Sequence, residues 1–205
     1  MKDPEIEKVG TVPDAVRAVL AAIGEDPDRE GLSATPVRVE RMLKEICSGY
    51  GKDLGQIVNG AIFSEASDSM VLIRQVEFYS LCEHHLLPFY GFVHFAYIPN
   101  GRIIGLSKIP RIIDMFARRL QVQERFTNQI INAVEDILQP KGCAIQVDAS
   151  HLCAMMRGVR KDQVRLTTTE YSGVFKEDSS LRTEFLQQLR PRLDASRNTY
   201  TSEGC

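Results

Sequence analysis

The chain has 205 residues, of which 43% are apolar and 25% are charged, and its formal net charge is -2. These values are typical of one globular domain with a sizeable core, and they exclude a surface that is basic throughout and could hold nucleic acid by its overall charge. No apolar run reaches the roughly 20 residues of a membrane span, and residues 1–5 lack the apolar core of a signal peptide, so we expect a cytoplasmic protein without membrane contact.

The N-terminal part of the chain is predicted to be helical. Apolar residues recur at helical spacing over residues 12–23. After a polar, turn-rich stretch, a threonine and a proline provide the N-cap and the first turn of a second helix over about residues 36–48. Arg38 in that helix is either ordinary solvated charge or a group that reaches toward an anion. We assign residues 1–69 to this N-terminal helical portion.

The remainder of the chain is predicted to form a sheet with helices. Alternating apolar residues indicate four strands, at residues 70–80, 91–98, 143–151 and about 163–171. Helical periodicity indicates helices at residues 107–120, 121–139 and about 180–189. We assign residues 70–190 to this second portion and the polar residues 191–205 to a disordered tail.

Cysteine and histidine are concentrated in two short clusters. The first, Cys-Glu-His-His at residues 82–85, lies in the loop between the first two predicted strands, and the second, His-Leu-Cys at residues 151–153, ends the third strand. Thiolates and imidazoles bind borderline-soft transition metals. In an extended chain, residues two apart face the same side, so the second cluster would point both of its side chains into one cavity. We predict that Cys82, His85 and Cys153 bind a metal ion.

Three protein ligands leave one coordination position open, which is typical of catalytic rather than structural zinc. The nearby His84 and His151 would then serve as bases that titrate near neutral pH. The alternative is a structural site in which Cys143 or Cys47 supplies the fourth ligand. Cys143 falls in an apolar strand, where a small buried side chain is the simpler interpretation.

Positive charge is concentrated at the start of the helix predicted at residues 107–120. Lys108 and Arg111 are three residues apart and share one face, and Ser107 can cap the helix. Cations are more usual at the other end of a helix, because the N-terminus already favours anions. We therefore predict a phosphate-binding spot here. Glu124, in the first turn of the next helix, can be explained by compensation of the helix dipole alone.

A series of motifs resembles the GTP cyclohydrolase I family in the same order, and the resemblance covers about residues 12–189. The motifs are Glu30-Gly-Leu with Thr35-Pro-x-Arg38, Cys82-Glu-His-His85, Gly105-Leu-Ser-Lys108 with Arg111, Gln121-Val-Gln-Glu-Arg125, and His151-Leu-Cys153 with Arg157-Gly158. Enzymes of this family use zinc and open pteridine biosynthesis.

The resemblance implies an α+β architecture, the tunnelling fold: a four-stranded antiparallel sheet with two long helices on one face, preceded by an N-terminal helical portion. Residues 70–190 would be the tunnelling-fold catalytic domain. The resemblance also implies a homodecamer of two face-to-face pentamers, with active sites at the subunit interfaces.

The resemblance further implies that Cys82, His85 and Cys153 hold zinc, which activates water for attack at C8 of the guanine of GTP. His151 would be the general acid and base at the imidazole-ring nitrogen, and His84 a second proton-transfer group. Ring opening would release formate. Ribose opening, an Amadori rearrangement and reclosure would then give 7,8-dihydroneopterin triphosphate.

Substrate contacts are also carried over by motif. Glu124 would accept hydrogen bonds from the guanine N1–H and exocyclic amine, with Gln123 beside it. Ser107 would assist the ribose steps. The triphosphate would be held by four basic residues, the last of them from a neighbouring subunit: Lys108, Arg111, Arg157 and Arg38.

The fourth predicted strand departs from the family pattern. Val164 and Leu166 stand in a segment where the family usually carries a Ser or Thr alternation, which puts the polar contacts of that strand in doubt. Three other functions are open: a zinc-stabilised assembly module without turnover, a related cyclohydrolase with another product, and an NADPH-dependent nitrile reductase. Glu124 together with the basic residues favours GTP, and the paired imidazoles fit a metal better than reductase chemistry.

Overall fold

The computed structural model describes residues 10–190, in which helices and strands form an α+β arrangement, as predicted. The helices in this range are Val12–Ala22 (α1), Thr35–Ile46 (α2), Leu54–Val58 (α3), Lys108–Ala117 (α4), Gln123–Leu138 (α5), Leu152–Met155 (α6), Val174–Glu177 (α7) and Ser179–Leu189 (α8), with a 3-10 turn at Ser48–Gly51. The strands are Ile62–Ser64 (β1), Val71–Cys82 (β2), Pro88–Ile98 (β3), Arg102–Ile104 (β4), Leu120–Gln121 (β5), Gly142–His151 (β6) and Arg165–Tyr171 (β7).

Four long strands form the predicted antiparallel sheet. The strand order is β5-β2-β3-β6-β7, and every neighbouring pair is antiparallel except β5 with β2. The long strands are rich in the β-branched and aromatic residues that favour a pleated, half-buried surface. The sequence pattern does not predict β5 or the separate β1–β4 pair, because strands of two or three residues are too short to show an alternation.

Helices α4 and α5 cover one face of this sheet, and the main core lies between the two layers. Alternate side chains of β3, including Phe89, Val93 and Phe95, are fully buried. They belong to one apolar cluster with the inner faces of the two helices: Ile109, Ile112, Ile113, Phe116, Phe126, Ile130, Val134 and Leu138. Each buried side chain of this size stabilises the fold by about 1.5–3 kcal/mol. The strands that carry the two Cys/His clusters are therefore anchored in a rigid layer.

Helix α4 ends at Ala117, earlier than the predicted end at residue 120. Leu120 and Gln121 instead pair in parallel with the last two residues of β2, Leu81 and Cys82. Their backbone groups therefore form hydrogen bonds within the sheet instead of within a helix. Tertiary pairing thus overrides the local helical periodicity. The consequence is that the start of α5 lies beside Cys82.

Two further pairs of helices lie near the two ends of the described residues. Helices α1 and α2 contact each other, and α1 begins with a capping box in which Thr11 and Asp14 bond to each other's backbone N–H. Helices α7 and α8 bury Phe175 and Phe185 in a second, smaller apolar cluster with Ala96, Ile98 and Ala144.

Two predictions about organisation are not tested by these elements. The division of the chain between residues 69 and 70 stays a prediction, and the predicted disordered tail, residues 191–205, lies outside the described residues. Within residues 10–190, no helix has both the length and the apolar composition that a membrane crossing requires.

Gly91 in β3 faces the backbone of β6 at very close range. A Cβ at this position would lie 2.0 Å from the carbonyl oxygen of Asp148 and 2.8 Å from Cα of Ala149. Backbone atoms in the middle of a sheet cannot move away by that much without breaking the ladder, so only glycine fits.

Gly91→Ala is therefore expected to lower the free energy of unfolding by about 3 kcal/mol, the upper part of the range for overpacking, as measured by urea denaturation. Gly51→Ala is the control, because a Cβ there meets no atom within 4 Å, and its change should stay within about 0.5 kcal/mol. Equal stability of the two variants would contradict the close approach of β3 and β6.

Candidate metal and nucleotide site

The first Cys/His cluster lies in a tight turn between β2 and β3. The Leu86 N–H donates to the Cys82 carbonyl at 2.8 Å, and the Cys82 N–H donates to the Leu87 carbonyl at 2.9 Å. Leu86 has a φ of 54°, the left-handed conformation that lets the chain reverse. The turn brings the Nδ1 atoms of His84 and His85 to 3.9 Å and 3.8 Å from the Cys82 sulfur.

The second cluster reaches the same place from the other side of β3. His151 is paired with Phe89 in the β3–β6 ladder, and α6 begins at the next residue, Leu152. The prediction that His151 and Cys153 both project from extended chain is wrong, because Cys153 lies in the first turn of α6. The turn of this helix, rather than the pleat of a strand, brings Cys153 to the first cluster.

The three predicted metal ligands, which we call the metal group, come together in the structure. One sulfur each from Cys82 and Cys153 and one ring nitrogen of His85 all lie within 4.8 Å of one another. A tetrahedral zinc ion, with bonds of about 2.0–2.3 Å, separates its ligand atoms by roughly 3.3–3.8 Å, so small side-chain rotations bring all three onto one ion. Two sulfurs and an imidazole suit a borderline-soft cation, and the group could therefore bind a divalent metal.

The alternative of a four-ligand structural site finds no support among the described residues, which add no fourth Cys, His, Asp or Glu to the group. Cys143 is fully buried near the start of β6, where burial strongly raises the pKa of its thiol. Cys47 caps the C-terminus of α2. Three protein donors leave room for a further ligand on the ion.

The Cys82 sulfur is close enough to affect the ionisation of the Cys153 thiol. Burial and the neighbouring Cys82 raise the pKa of the Cys153 thiol, and the positive charge of Arg157 acts in the opposite direction. Two thiolates this close repel each other, because each disfavours the charged form of its neighbour. A bound cation removes that penalty, which is what a metal site requires of its ligands.

His151 is held in a defined orientation beside the metal group. Its ring stacks on Phe89, with 4.6 Å between the centroids and 7° between the planes. Its Nε2 lies 2.9 Å from Oε1 of Gln123. Burial lowers the pKa of His151, and the nearby Glu124 carboxylate offsets part of this effect. The imidazole is therefore a neutral base at neutral pH.

An ion pair that the sequence analysis did not predict joins α5 to the turn at residues 82–85, which we call the metal turn. The Glu83 carboxylate accepts two hydrogen bonds from the Arg125 guanidinium, at 2.6 Å and 2.9 Å, and this bidentate partner lowers the pKa of Glu83. The Glu83 N–H also donates to the Gln121 carbonyl at 3.0 Å. The pair joins residues 42 positions apart, and no local pattern reveals such a contact.

The predicted phosphate-binding residues lie at the start of α4. Ser107 is exposed just before the helix, and Arg111 is exposed in its first turn. Lys108 is half-buried, and its Nζ donates to the Ile57 carbonyl at the end of α3 at 2.9 Å. The cationic group of Lys108 thus already serves a backbone acceptor, which an anion would have to replace or share.

The other predicted substrate contacts lie in different surroundings. Arg157 follows α6 and is exposed, close enough to affect the Cys153 thiol, and Glu124 is exposed beside His151. Arg38 is exposed on α2, and within residues 10–190 its side chain makes no hydrogen bond to the metal group. Gln123 is buried, so its predicted place beside the guanine stays a prediction.

Comparison with known proteins places these features in a family. The family model described as GTP cyclohydrolase I matches residues 12–190. The chain belongs to the GTP cyclohydrolase I family. A protein of Leptospira biflexa named GTP cyclohydrolase 1 is 56% identical over 175 residues, which cover 85% of this chain and 96% of the relative. Proteins of the same name from Chlorobaculum tepidum (49% identical; 91% of this chain, 84% of the relative) and Alkalilimnicola ehrlichii (52%; 86% and 95%) also match.

The departure from the GTP cyclohydrolase I pattern in β7 leaves the site intact. Val164, just before β7, and Leu166, within it, are exposed residues, at 54% and 39%. The Leu166 backbone carbonyl points toward the interior and accepts a hydrogen bond from Gln123 Nε2 at 2.9 Å. A backbone acceptor is independent of the side chain, so the contact survives the substitution. Thr168, which the sequence analysis treated only as part of a threonine-rich strand, supplies a second acceptor at 3.2 Å.

Replacing one sulfur ligand should abolish tight metal binding. In a titration with Co²⁺ as the probe, the unmodified protein is expected to bind one ion per chain and to show thiolate-to-metal charge-transfer absorption. Cys153→Ser should weaken binding by at least about tenfold, because a hydroxyl is a poor ligand for a soft cation. Cys47→Ser is the matched control and should bind Co²⁺ as the unmodified protein does. Unchanged absorption in Cys153→Ser would remove Cys153 from the ligand set.

Proposed function

We propose that this protein is a cytoplasmic, zinc-dependent enzyme that hydrolyses GTP to formate and 7,8-dihydroneopterin triphosphate. The observation that carries the proposal is the convergence of Cys82, His85 and Cys153 beside the oriented imidazole of His151. Membership of the GTP cyclohydrolase I family adds the substrate and the product. Zinc in this group would supply the Lewis acidity for attack of water on C8 of the guanine.

The two histidines outside the ligand set move the protons. His151 takes a proton from the water that attacks C8 and gives the same proton to the imidazole-ring nitrogen as the bond from that nitrogen to C8 breaks. His84, exposed in the same turn as the metal ligands, is the second proton-transfer group. Hydrolysis of the resulting formamide releases formate, and the ribose carbons then close the new ring.

Glu124 recognises the guanine. A carboxylate accepts hydrogen bonds from both N1–H and the exocyclic amine, whereas adenine offers no N1–H and would leave one carboxylate oxygen without a donor. Its position in the first turn of α5, beside His151, puts base recognition next to proton transfer. Dipole compensation is then a secondary benefit of the same residue.

The triphosphate is held at the edge of the site by cations. Arg111 and Arg157 are exposed and available to phosphate oxygens, and Lys108 exchanges its bond to the Ile57 carbonyl for a phosphate. Ser107, exposed beside Lys108, assists the ribose steps. Arg38, exposed on α2, reaches the triphosphate from a neighbouring subunit.

The enzyme assembles as a homodecamer of two pentamers. Support comes from the sheet, whose outer strand β7 has one unpaired edge among the described residues, while β2 is paired on its outer side only at Leu81 and Cys82. Unpaired strand edges of this length favour pairing with another chain. Edge-to-edge pairing around a ring would close five such sheets into a barrel.

Formate release tests the activity directly. Metal-replete protein incubated with GTP is expected to release one formate per dihydropterin formed, the latter followed by absorbance, and ATP should give neither product. An assembly module without turnover, or a reductase that needs NADPH, would release no formate from GTP, and that result would contradict the proposed function.

Glu124→Gln is expected to raise the Kd for GTP by roughly tenfold to a hundredfold, the effect of losing one bidentate contact to a base. Its metal content should be unchanged. Glu135→Gln makes the same chemical change at the other end of α5 and should leave the Kd as it is. An unchanged Kd in Glu124→Gln would exclude Glu124 from guanine recognition.

The assembly is tested by mass measurement in solution. Light scattering should give ten times the 23.1 kDa of one chain. Because Arg38 acts across an interface, Arg38→Ala mixed with the inactive His151→Asn should recover part of the activity in shared sites. A monomeric protein that is fully active would contradict both points.

A further inference from the structure

Gln123 is buried at the start of α5, and its carboxamide is surrounded by polar partners. Only 1% of the residue is exposed. Nε2 lies 3.0 Å from the Val147 carbonyl, 2.9 Å from the Leu166 carbonyl and 3.2 Å from Thr168 Oγ1. Oε1 lies 2.9 Å from Nε2 of His151. Both polar atoms of the side chain are therefore committed to the protein.

The two backbone carbonyls determine which way the carboxamide faces. A carbonyl oxygen can only accept a hydrogen bond, so the group that faces Val147 and Leu166 must be the NH₂. The reverse orientation would press Oε1 against two carbonyl oxygens and would bury polar groups without partners, at a cost of about 1–3 kcal/mol each. Oε1 of Gln123 must therefore face His151.

Two threonine hydroxyls reinforce this orientation. Thr127 Oγ1 donates to the backbone carbonyl of Gln123 at 2.8 Å. Because the single hydrogen of the Thr127 hydroxyl is already donated, the hydrogen in its 2.6 Å contact with Thr168 must come from the Thr168 hydroxyl. The oxygen of Thr168 is then an acceptor for Gln123 Nε2, whose two hydrogens are shared among three acceptors. The donors run in one direction around a closed ring of three residues, which rigidifies the carboxamide.

The orientation of Gln123 fixes the proton on His151. Oε1 can only accept, so Nε2 of His151 must be the donor, and the neutral ring has its lone pair on Nδ1. Stacking on Phe89, at 4.6 Å and 7°, holds the ring plane. The imidazole therefore presents one particular nitrogen in one particular direction.

We propose that Gln123 is a positioning residue that holds His151 as the Nε2–H tautomer, so that Nδ1 is the only ring atom that exchanges a proton with the substrate. The inference rests on the proposed role of His151 as acid and base. A proton taken up at Nδ1 gives the imidazolium, whose Nε2–H stays bonded to Gln123, and the same proton leaves from Nδ1. A buried acceptor behind a catalytic imidazole orients the ring in the same way in the Ser-His-Asp triad.

This role differs from the two simpler ones for Gln123. A residue that contacts the guanine would change the affinity for GTP. A residue that serves only the fold would change the free energy of unfolding. Neither would determine which nitrogen of His151 carries the proton, so the tautomer of that ring is the deciding observable.

The tautomer can be measured without substrate by solid-state NMR of zinc-loaded protein with ¹⁵N-labelled histidine rings. The chain has four histidines, and the signal of His151 is identified by its loss in His151→Asn. We expect a protonated Nε2 and a non-protonated Nδ1. In Gln123→Met, which keeps the length of the side chain and removes both polar atoms, we expect a mixture of tautomers.

The kinetic effect should fall on kcat. Gln123→Met is expected to lower kcat for formate release by roughly a hundredfold, the scale of general acid–base catalysis, with KM for GTP and zinc content within about twofold of the unmodified protein. Thr168→Val, which removes one hydroxyl, should lower kcat by about fivefold, as expected for one hydrogen bond, and Thr168→Ser should restore it. Gln187→Met, the same change at an exposed position of α8, is the control and should change neither the tautomer nor kcat.

A non-protonated Nε2 in the unmodified protein overturns the proposal, whether or not GTP is hydrolysed. A raised KM at unchanged kcat in Gln123→Met also overturns it and assigns Gln123 to substrate binding. If Gln123→Met does not fold, the unmodified tautomer and the Thr168 pair decide. The expected tautomer in a protein that releases no formate would leave the positioning intact and contradict only the proposed function.

Discussion

The parallel pairing of Leu120 and Gln121 with Leu81 and Cys82 is the constraint on which the site depends. Neighbouring strands lie about 4.8 Å apart, so the chain that continues from Gln121 into α5 starts within a few ångströms of the metal turn. The Glu83 N–H extends this pairing by one hydrogen bond, and the Glu83–Arg125 ion pair fixes it from the side chains. Two backbone residues thus bring the start of α5, with Glu124, to the metal group.

The β3–β6 ladder brings in the other half of the site. Its register runs without a shift from Phe89 with His151 to Ile98 with Gly142, and the buried face of β3 is anchored against α4 and α5. The position of His151 along the sheet is therefore determined by the ten residue pairs of this ladder rather than by the conformational preference of the local sequence. Cys153 then needs only the first turn of α6 to reach Cys82. Residues some seventy positions apart converge because the sheet between them is rigid.

The sequence predicted the long elements and the three side chains that converge as a possible metal site, and it missed features that depend on tertiary contacts. The four long strands and α5 show clear periodicity, and the Cys and His residues stand out because few others occur. By contrast, β5 has two residues, and the helical pattern before it runs on past the true end of α4. The pairing of Glu83 with Arg125 leaves no local trace either.

The chemical role of Gln123 likewise depends on tertiary contacts that the sequence does not show. Its motif places it next to Glu124, and adjacency in sequence favours a shared role at the guanine. Successive residues of a helix nevertheless point about 100° apart, so Glu124 is exposed while Gln123 is buried against β6 and β7. The strand that supplies its partners is the one in which Leu166 departs from the family pattern, and a backbone carbonyl makes that departure harmless. Only the packed sheet reveals this arrangement.

We infer that two thiolates and one imidazole hold an ion that keeps a free position beside His151. X-ray absorption spectroscopy of the zinc-loaded protein measures this coordination shell most directly. The structure predicts two sulfur neighbours at about 2.3 Å and two nitrogen or oxygen neighbours near 2.0–2.1 Å, one of which is exchanged when a GTP analogue binds. Three or more sulfurs, or a shell that no ligand perturbs, would contradict the account.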